Sequence, residues 1–207
     1  MTVVVYARVA VFMAGVVGLG IELAAERLLA PAFGTTLDLW SIIIGLTFAF
    51  LSAGYAIGGR VIDRTPSHRV ISACLLATGV WGLVIALLGR SIVSQIQEWT
   101  FDFGGLRMGI FLSTLILITI PPFLLGIITP SAIRLTVPRV DAAGSSAGVI
   151  YALGTIGSLI GTFVPVLVLI PRIGVRRTFL TMAAIALLTG AIGLTRLVRD
   201  KRVADSG

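Results

Sequence analysis

Residues 9–30 read VAVFMAGVVGLGIELAAERLLA, an apolar run with charged side chains only near its end. The hydrocarbon core of a bilayer is about 30 Å thick, and a helix of roughly 20 apolar residues crosses it. The run is too long for a cleaved signal peptide and has no basic leader. It also carries Glu22 and Glu26 where a small-residue cleavage site would lie. We therefore expect a retained transmembrane helix.

Five similar runs follow along the chain. The six predicted spans are residues 9–30, 39–59, 70–89, 108–133, 146–170 and 178–195. Charged residues make up 12% of the 207 residues, about half of the roughly 25% that a soluble domain carries. The mean hydropathy is +1.07. We expect an all-α, polytopic membrane protein in which one domain, residues 1–195, meets the lipid bilayer and residues 196–207 form a charged tail.

The residue inventory excludes several classes of function. The net charge is +7, but the basic residues are scattered between apolar runs, so no nucleic-acid surface is predicted. Cys74 and His68 are the sole cysteine and histidine, which excludes an internal disulfide framework and a histidine-based zinc site. No dinucleotide, Walker, zinc-protease or GxSxG motif is present. We expect no metal, no cofactor and no catalysis by this chain.

The distribution of Lys and Arg predicts the orientation, because cytoplasmic loops are enriched in them. One side collects ten, namely Arg8, Arg60, Arg64, Arg69, Arg134, Arg139, Arg196, Arg199, Lys201 and Arg202. The other side holds six, namely Arg27, Arg90, Arg107, Arg172, Arg176 and Arg177. Trp40 and Trp99 lie near the predicted outer interface, as aromatic anchors do. This bias predicts a prokaryotic inner-membrane protein with both termini in the cytoplasm.

A weak internal repeat is visible at an offset of 99 residues. It superposes Pro31 on Pro130, Gly45 on Gly144 and Gly58 on Gly157. Three helices followed by three more would insert the second set with opposite topology, because three is odd. Inverted repeats of this kind build many transporters.

Two spans carry glycines at the spacing of helix–helix contacts. Gly54 and Gly58 lie in the second span, and Gly154, Gly157 and Gly161 lie in the fifth. Small residues allow helices in lipid to approach closely. Intramolecular packing is the simplest interpretation, and a substrate pathway or a dimer interface remains open.

The first span carries unusual charges for a membrane helix. Glu22 and Glu26 are four residues apart and share a face. A carboxylate in a span is costly unless it is paired, hydrated or protonated, so it is a functional candidate. With Asp38 at the interface, the two acids would form an outward-facing vestibule for a cation or a proton relay. The alternative is that Glu22 pairs with Arg107 and serves assembly only.

The fourth span contains the prolines Pro121, Pro122 and Pro130, the last directly after Thr129. Each proline removes a backbone donor and clashes with the preceding turn, so the helix should be kinked or broken. The freed carbonyls must then be satisfied by hydroxyls, water or ligand. We include Pro121, Pro122 and Thr129 as candidate substrate-binding positions, and an ordinary bend is the alternative.

A charged motif follows the second span. It reads Gly58-Gly59-Arg60-Val61-Ile62-Asp63-Arg64. Asp63 beside two arginines can bridge the second and third spans and cap a helix dipole. We expect a structural or gating role on the cytoplasmic side.

Several of these motifs resemble the membrane domain of spermidine-synthase-like membrane proteins. The resemblance rests on Glu22-x-x-x-Glu26-Arg27-Leu28-Leu29-Ala30-Pro31-x-Phe33-Gly34-Thr35-Thr36, Gly54-Tyr55-x-x-Gly58-Gly59-Arg60-x-x-Asp63-Arg64, Leu125-Gly126, Thr129-Pro130, Gly148-x-x-Tyr151-Ala152-x-Gly154-Thr155-x-Gly157-Ser158-x-x-Gly161-Thr162 and Pro171-x-x-Gly174. It implies a six-helix bundle similar to half of a major facilitator transporter. The family's soluble aminopropyltransferase domain is not among these residues, so aminopropyl transfer is assigned to none of them.

Two functional hypotheses follow. In the first, the chain binds or moves a small substrate, plausibly an organic cation such as a polyamine. Six spans are half of a usual facilitator, so a homodimer or a partner subunit would complete the pathway. In the second, the chain is a membrane scaffold that anchors a separate aminopropyltransferase-like enzyme or a larger complex through its glycine faces and basic rim.

Overall fold

The computed structural model describes residues 1–103, 105–137, 143–195 and Val198. These residues form seven helices and one π-helical turn, without an extended strand. The elements are α1 (Val3–Phe33), α2 (Leu37–Arg64), α3 (His68–Phe103), α4 (Gly105–Leu117), α5 (Ile120–Thr136), α6 (Ala143–Val164), the π-helical turn Pro165–Leu169 and α7 (Ile170–Leu194). The predicted all-α class is confirmed. The predictions for Arg139, Asp141 and the charged tail, except Val198, lie outside the described residues.

Several helices are long and apolar enough to cross a membrane. Among the described residues they are Val3–Phe33, Leu37–Arg64, His68–Thr100 and the continuous stretch Ala143–Leu194. Helices α4 and α5 qualify together as a pair bent by 47°. These lengths and compositions are consistent with a helical membrane protein.

The stretch Ala143–Leu194 is 52 residues long, but it is not one straight rod. Gly174 interrupts it with φ 79° and ψ 168°, which are not helical values. Both Pro165 and Met182 lie against Gly20 of α1. In a straight helix, two residues 17 positions apart would be separated by about 25 Å. The chain therefore reverses its direction near Gly174, and residues 175–194 return along the bundle.

Helical passages that follow one another along the chain alternate in direction. The contacts that set the directions are Phe12–Gly157 and Val16–Gly161 between α1 and α6, and Gly54–Phe123 and Gly58–Ile127 between α2 and α5. In each pair of helices both residue numbers rise together, so α6 runs parallel to α1 and α5 runs parallel to α2. Residues 175–194 run antiparallel to α1.

The two ends of the bundle differ in their contacts. At one end, the Tyr6 hydroxyl and the Ser72 hydroxyl form a hydrogen bond of 2.8 Å, and Gly193 lies against the Tyr6 ring. The starts of α1 and α3 and the end of α7 therefore meet there, and we call it the Tyr6 end. The opposite end, where α1 turns into α2, is the Gly34 end.

Each of the first three helices packs mainly on a helix from the later part of the chain. Helix α1 packs mainly on α6, α2 packs mainly on α5, and α3 packs mainly on α7. Two of these contacts have the same spacing: Gly161 follows Gly54 by 107 positions, and Phe123 follows Val16 by 107 positions. The repeat at an offset of 99 residues stays a prediction from the sequence.

Candidate functional site

Helix α1 carries Glu22, a half-buried acidic residue that has no ion pair with any described residue. Glu22 is half-buried on this helix, and the Thr47 hydroxyl of α2 lies beside its carboxyl. The buried Thr47 oxygen completes no well-formed hydrogen bond with any described residue. Glu22 forms no ion pair within the described part of the chain. A carboxylate and a hydroxyl with unused hydrogen-bonding capacity therefore face each other between α1 and α2.

The other two predicted acids are neutralised by neighbours. Glu26 is only 4% exposed, and its Oε2 atom lies 3.3 Å from Nε of Arg27. Asp38 at the start of α2 accepts a hydrogen bond of 2.9 Å from Nε of Arg107 on α4. Arg107 is thus engaged by Asp38 and does not pair with Glu22. The three acids occupy three different environments, with Glu22 the one left unpaired among the described residues.

Three further buried hydroxyls lack a hydrogen-bond partner among the described residues, namely Thr78, Ser113 and Thr114. Ser113 and Thr114 lie about one helical turn from Gly109, which contacts Phe33 of α1. They therefore belong to the half of the bundle that is nearer the Gly34 end. Buried polar groups are normally hydrogen-bonded, so these hydroxyls are exceptions within the described part of the bundle.

The fourth predicted span is broken directly before its two adjacent prolines, as expected. Helix α4 ends at Leu117 and α5 begins at Ile120. Pro121 cannot donate to the Leu117 carbonyl, and the indole N–H of Trp81 on α3 donates to that carbonyl over 2.8 Å instead. The freed carbonyl is thus satisfied by a side chain of the protein. The position of Trp81 in the middle of the third predicted span could have indicated this role, because a buried indole N–H needs an acceptor.

The other candidates of this span behave as ordinary helix residues. Pro121 and Pro122 are buried and Thr129 is half-buried. Helix α5 continues without a break through Pro130. Ser131 donates a 2.7 Å hydrogen bond to the Ile127 carbonyl. The single sharp bend of this span therefore lies between α4 and α5.

The charged motif after the second span is helical, since α2 extends to Arg64. Oδ1 of Asp63 lies 3.7 Å from Nε of Arg134 on α5. The residue therefore connects α2 to α5, whereas a bridge to the third span was expected from the sequence. Both side chains are mostly exposed, and Arg60 is exposed as well. Exposed ion pairs contribute little to stability, about 0–1 kcal/mol.

The glycine faces are buried against other helices of the same chain. A methyl group on Gly54 would overlap the Phe123 carbonyl, and Gly58 lies against Ile127 and Pro130. On the other face, Gly154, Gly157 and Gly161 lie against Val11, Phe12 and Val16, respectively. Gly59 has open space around it. These close approaches are the kind of contact that small residues permit.

A groove of about 430 Å³ opens at the Gly34 end between α1, α3 and the break at Gly174. Its charged lining consists of Arg27, Arg90, Arg176 and Arg177. Its apolar lining includes Leu28, Ile85, Ala86 and Phe179. The groove contains neither Glu22 nor Glu26. From the sequence, these arginines predicted only the orientation. They lie far apart along the chain, and no local pattern connects them.

No protein-family model, curated protein or solved structure matches this chain. The resemblance to spermidine-synthase-like membrane proteins therefore stays a prediction from the motifs.

Proposed function

We propose that this chain is an integral membrane protein that crosses the bilayer six times, with two inverted three-helix repeats that resemble half of a major facilitator. The alternating directions of the passages support six crossings. Helix α1 packs on α6 and α2 packs on α5, so each of these two helices contacts a helix of the other proposed repeat. This arrangement supports the inverted repeat. The Tyr6 end would face the cytoplasm of a prokaryote, because Arg60, Arg64 and Arg69 lie there.

The proposed activity is the binding or transport of a small organic cation such as a polyamine. The observation that carries it is the half-buried, unpaired Glu22 beside the unsatisfied Thr47 hydroxyl. An unpaired carboxylate within a span must gain a cation, a proton or water to offset its desolvation. An ammonium group placed between Glu22 and Thr47 would satisfy both side chains at once.

A second copy of the chain, or a partner subunit, would complete the pathway. Helix α2 and the stretch Ala143–Leu194 are the least buried of the candidate spans, and within that stretch α6 buries only Ile150, Gly157 and Gly161. Both present large apolar side chains outwards, such as Phe48 and Phe163, and Tyr55 and Tyr151 lie near each other on the two helices. Such a surface faces lipid or another half-facilitator.

The scaffold hypothesis keeps only the basic rim of the two surfaces on which it was based. Gly54 and Gly157 are covered by α5 and α1 of the same chain, so they are not free to hold a partner. An anchored enzyme would have to attach elsewhere, for example at the basic rim around Arg60 and Arg64. A stoichiometric partner recovered from native membranes would favour this alternative, particularly if it survives Glu22→Gln and is lost with Arg60→Gln and Arg64→Gln.

Uptake of labelled spermidine into proteoliposomes tests the transport proposal. Glu22→Gln should reduce uptake about tenfold or more, since a charge-assisted hydrogen bond contributes about 1.5–3 kcal/mol. Thr47→Val should reduce it less. Glu98→Gln is the matched control, because Glu98 is an exposed acid on α3 and its loss changes the net charge equally. Uptake by Glu22→Gln at the wild-type rate would refute the proposal, and so would the absence of uptake by the wild-type protein.

A further inference from the structure

The groove at the Gly34 end gathers positive charge that the described residues neutralise only in part, at Arg27. Arg90, Arg176 and Arg177 form no ion pair or hydrogen bond through their guanidinium groups with any described residue. Arg27 is partly neutralised by Glu26 at 3.3 Å. Unpaired arginines attract anions, and the planar guanidinium matches the geometry of a phosphate.

The backbone adds to this positive potential. Gly174 stops the preceding helix with φ 79°, and the helix of residues 175–194 starts from it. The first N–H groups of a helix have no intrahelical acceptor, and its N-terminus carries a partial positive charge. Val175, Arg176 and Arg177 are the first residues of this helix, and all three line the groove.

The floor of the groove is apolar. Phe179 and Ile85 are almost fully buried there, and Leu28 covers the α1 side. The volume of about 430 Å³ lies within the range of roughly 300–1,000 Å³ that is typical of ligand sites. A positive rim above an apolar floor fits an amphiphilic anion better than a free inorganic anion.

The position of the groove fits a lipid. Its arginines come from the later parts of α1 and α3 and from the Gly174 turn, at the end of the bundle where Trp99 is 60% exposed. Tryptophan favours the level of the lipid headgroups. Four of the six Lys and Arg that the sequence assigns to the outer side lie in this groove, so the groove accounts for most of the charge that opposes the positive-inside bias.

We propose that this groove binds the phosphate of an anionic membrane lipid, with Arg90, Arg176 and Arg177 on the phosphate and the acyl chain along Leu28 and Phe179. The site is separate from Glu22 and does not depend on the proposed transport activity.

Native mass spectrometry of the full chain in detergent, with phosphatidylglycerol or phosphatidylcholine added, tests the proposal. The wild type should retain phosphatidylglycerol in clear preference to the zwitterionic lipid. Arg90→Gln and Arg176→Gln should each weaken this binding about tenfold, the change expected for one charge-assisted hydrogen bond. Arg176→Lys, which keeps the charge, should retain more of the binding than Arg176→Gln.

The matched control is Arg8→Gln, an exposed arginine at the Tyr6 end, which should leave the retained lipid unchanged. Equal losses in Arg8→Gln and Arg176→Gln would overturn the proposal, as would full retention by the groove variants. Displacement of the lipid by millimolar glycerol 3-phosphate would show that the site takes a soluble phosphate, and this result would also overturn it. The elution volume in size-exclusion chromatography identifies variants that fail to fold, and Arg176→Lys then serves as the folded comparison.

Discussion

The close contact between α2 and α5 makes a specific prediction for Gly54→Ala. A methyl group at this position would overlap the Phe123 carbonyl oxygen, and it would also face the Gly126 backbone at 3.0 Å. Both obstacles are backbone atoms, so no side-chain rotation relieves them and the two helices must separate. Overpacking of this kind costs about 1–3 kcal/mol, whereas the gain in helix propensity from Gly to Ala is at most about 1 kcal/mol. Because both obstacles are rigid backbone atoms, the cost should lie in the upper part of that range, about 2–3 kcal/mol, and we expect a net destabilisation of roughly 1–2 kcal/mol after the gain in propensity.

The chain provides its own reporter and its own control. Cys74 is the single cysteine of the sequence and is buried, so a maleimide dye in detergent labels it only when the bundle opens. Where labelling follows the open population, Gly54→Ala should accelerate it by about 5- to 30-fold. Gly45→Ala lies on the same helix with nothing within 4 Å of the added methyl group, and it should label no faster than the wild type. Equal rates for the two variants would refute the predicted helix contact.

Two further predictions use the same labelling assay. Trp81→Phe removes the donor to the Leu117 carbonyl and should destabilise the bundle by about 1–2 kcal/mol. Trp99→Phe, at an exposed position, should have little effect. Equal effects of the two substitutions would contradict the role of the indole N–H. Gly174→Ala places a Cβ atom on a residue with φ 79° and should cost about 1–3 kcal/mol. Gly148→Ala, in open space without a positive φ, is its control, and unchanged labelling in Gly174→Ala would argue against the reversal there.

Much of the fold could be predicted because its rules are local. A long apolar run identifies a membrane helix without reference to its neighbours, and a proline at position 121 removes a backbone donor whatever surrounds it. The helical class and the break in the fourth span follow from such signals. The same logic singled out Glu22 and Glu26, because an acid in an apolar run is costly in any arrangement.

The electrostatic partners could not be predicted in this way. The sequence left Glu22 and Arg107 as an open pair, but Arg107 lies on Asp38 and Glu22 lies beside Thr47. The pairing depends on how α1, α2 and α4 are rotated about their axes and shifted along them. No local sequence pattern specifies either quantity.

The sequence by itself determined that the chain is helical and apolar, and which charges need an explanation. Only the tertiary structure decided the parallel contacts of α1 with α6 and of α2 with α5, the reversal at Gly174 and the gathering of Arg27, Arg90 and Arg176 into one groove. The physical reason is the solvent. In a bilayer, lipid would cover any apolar helix face almost equally well, so hydrophobicity alone would not select the faces that meet, and the close contacts between the helix backbones select them.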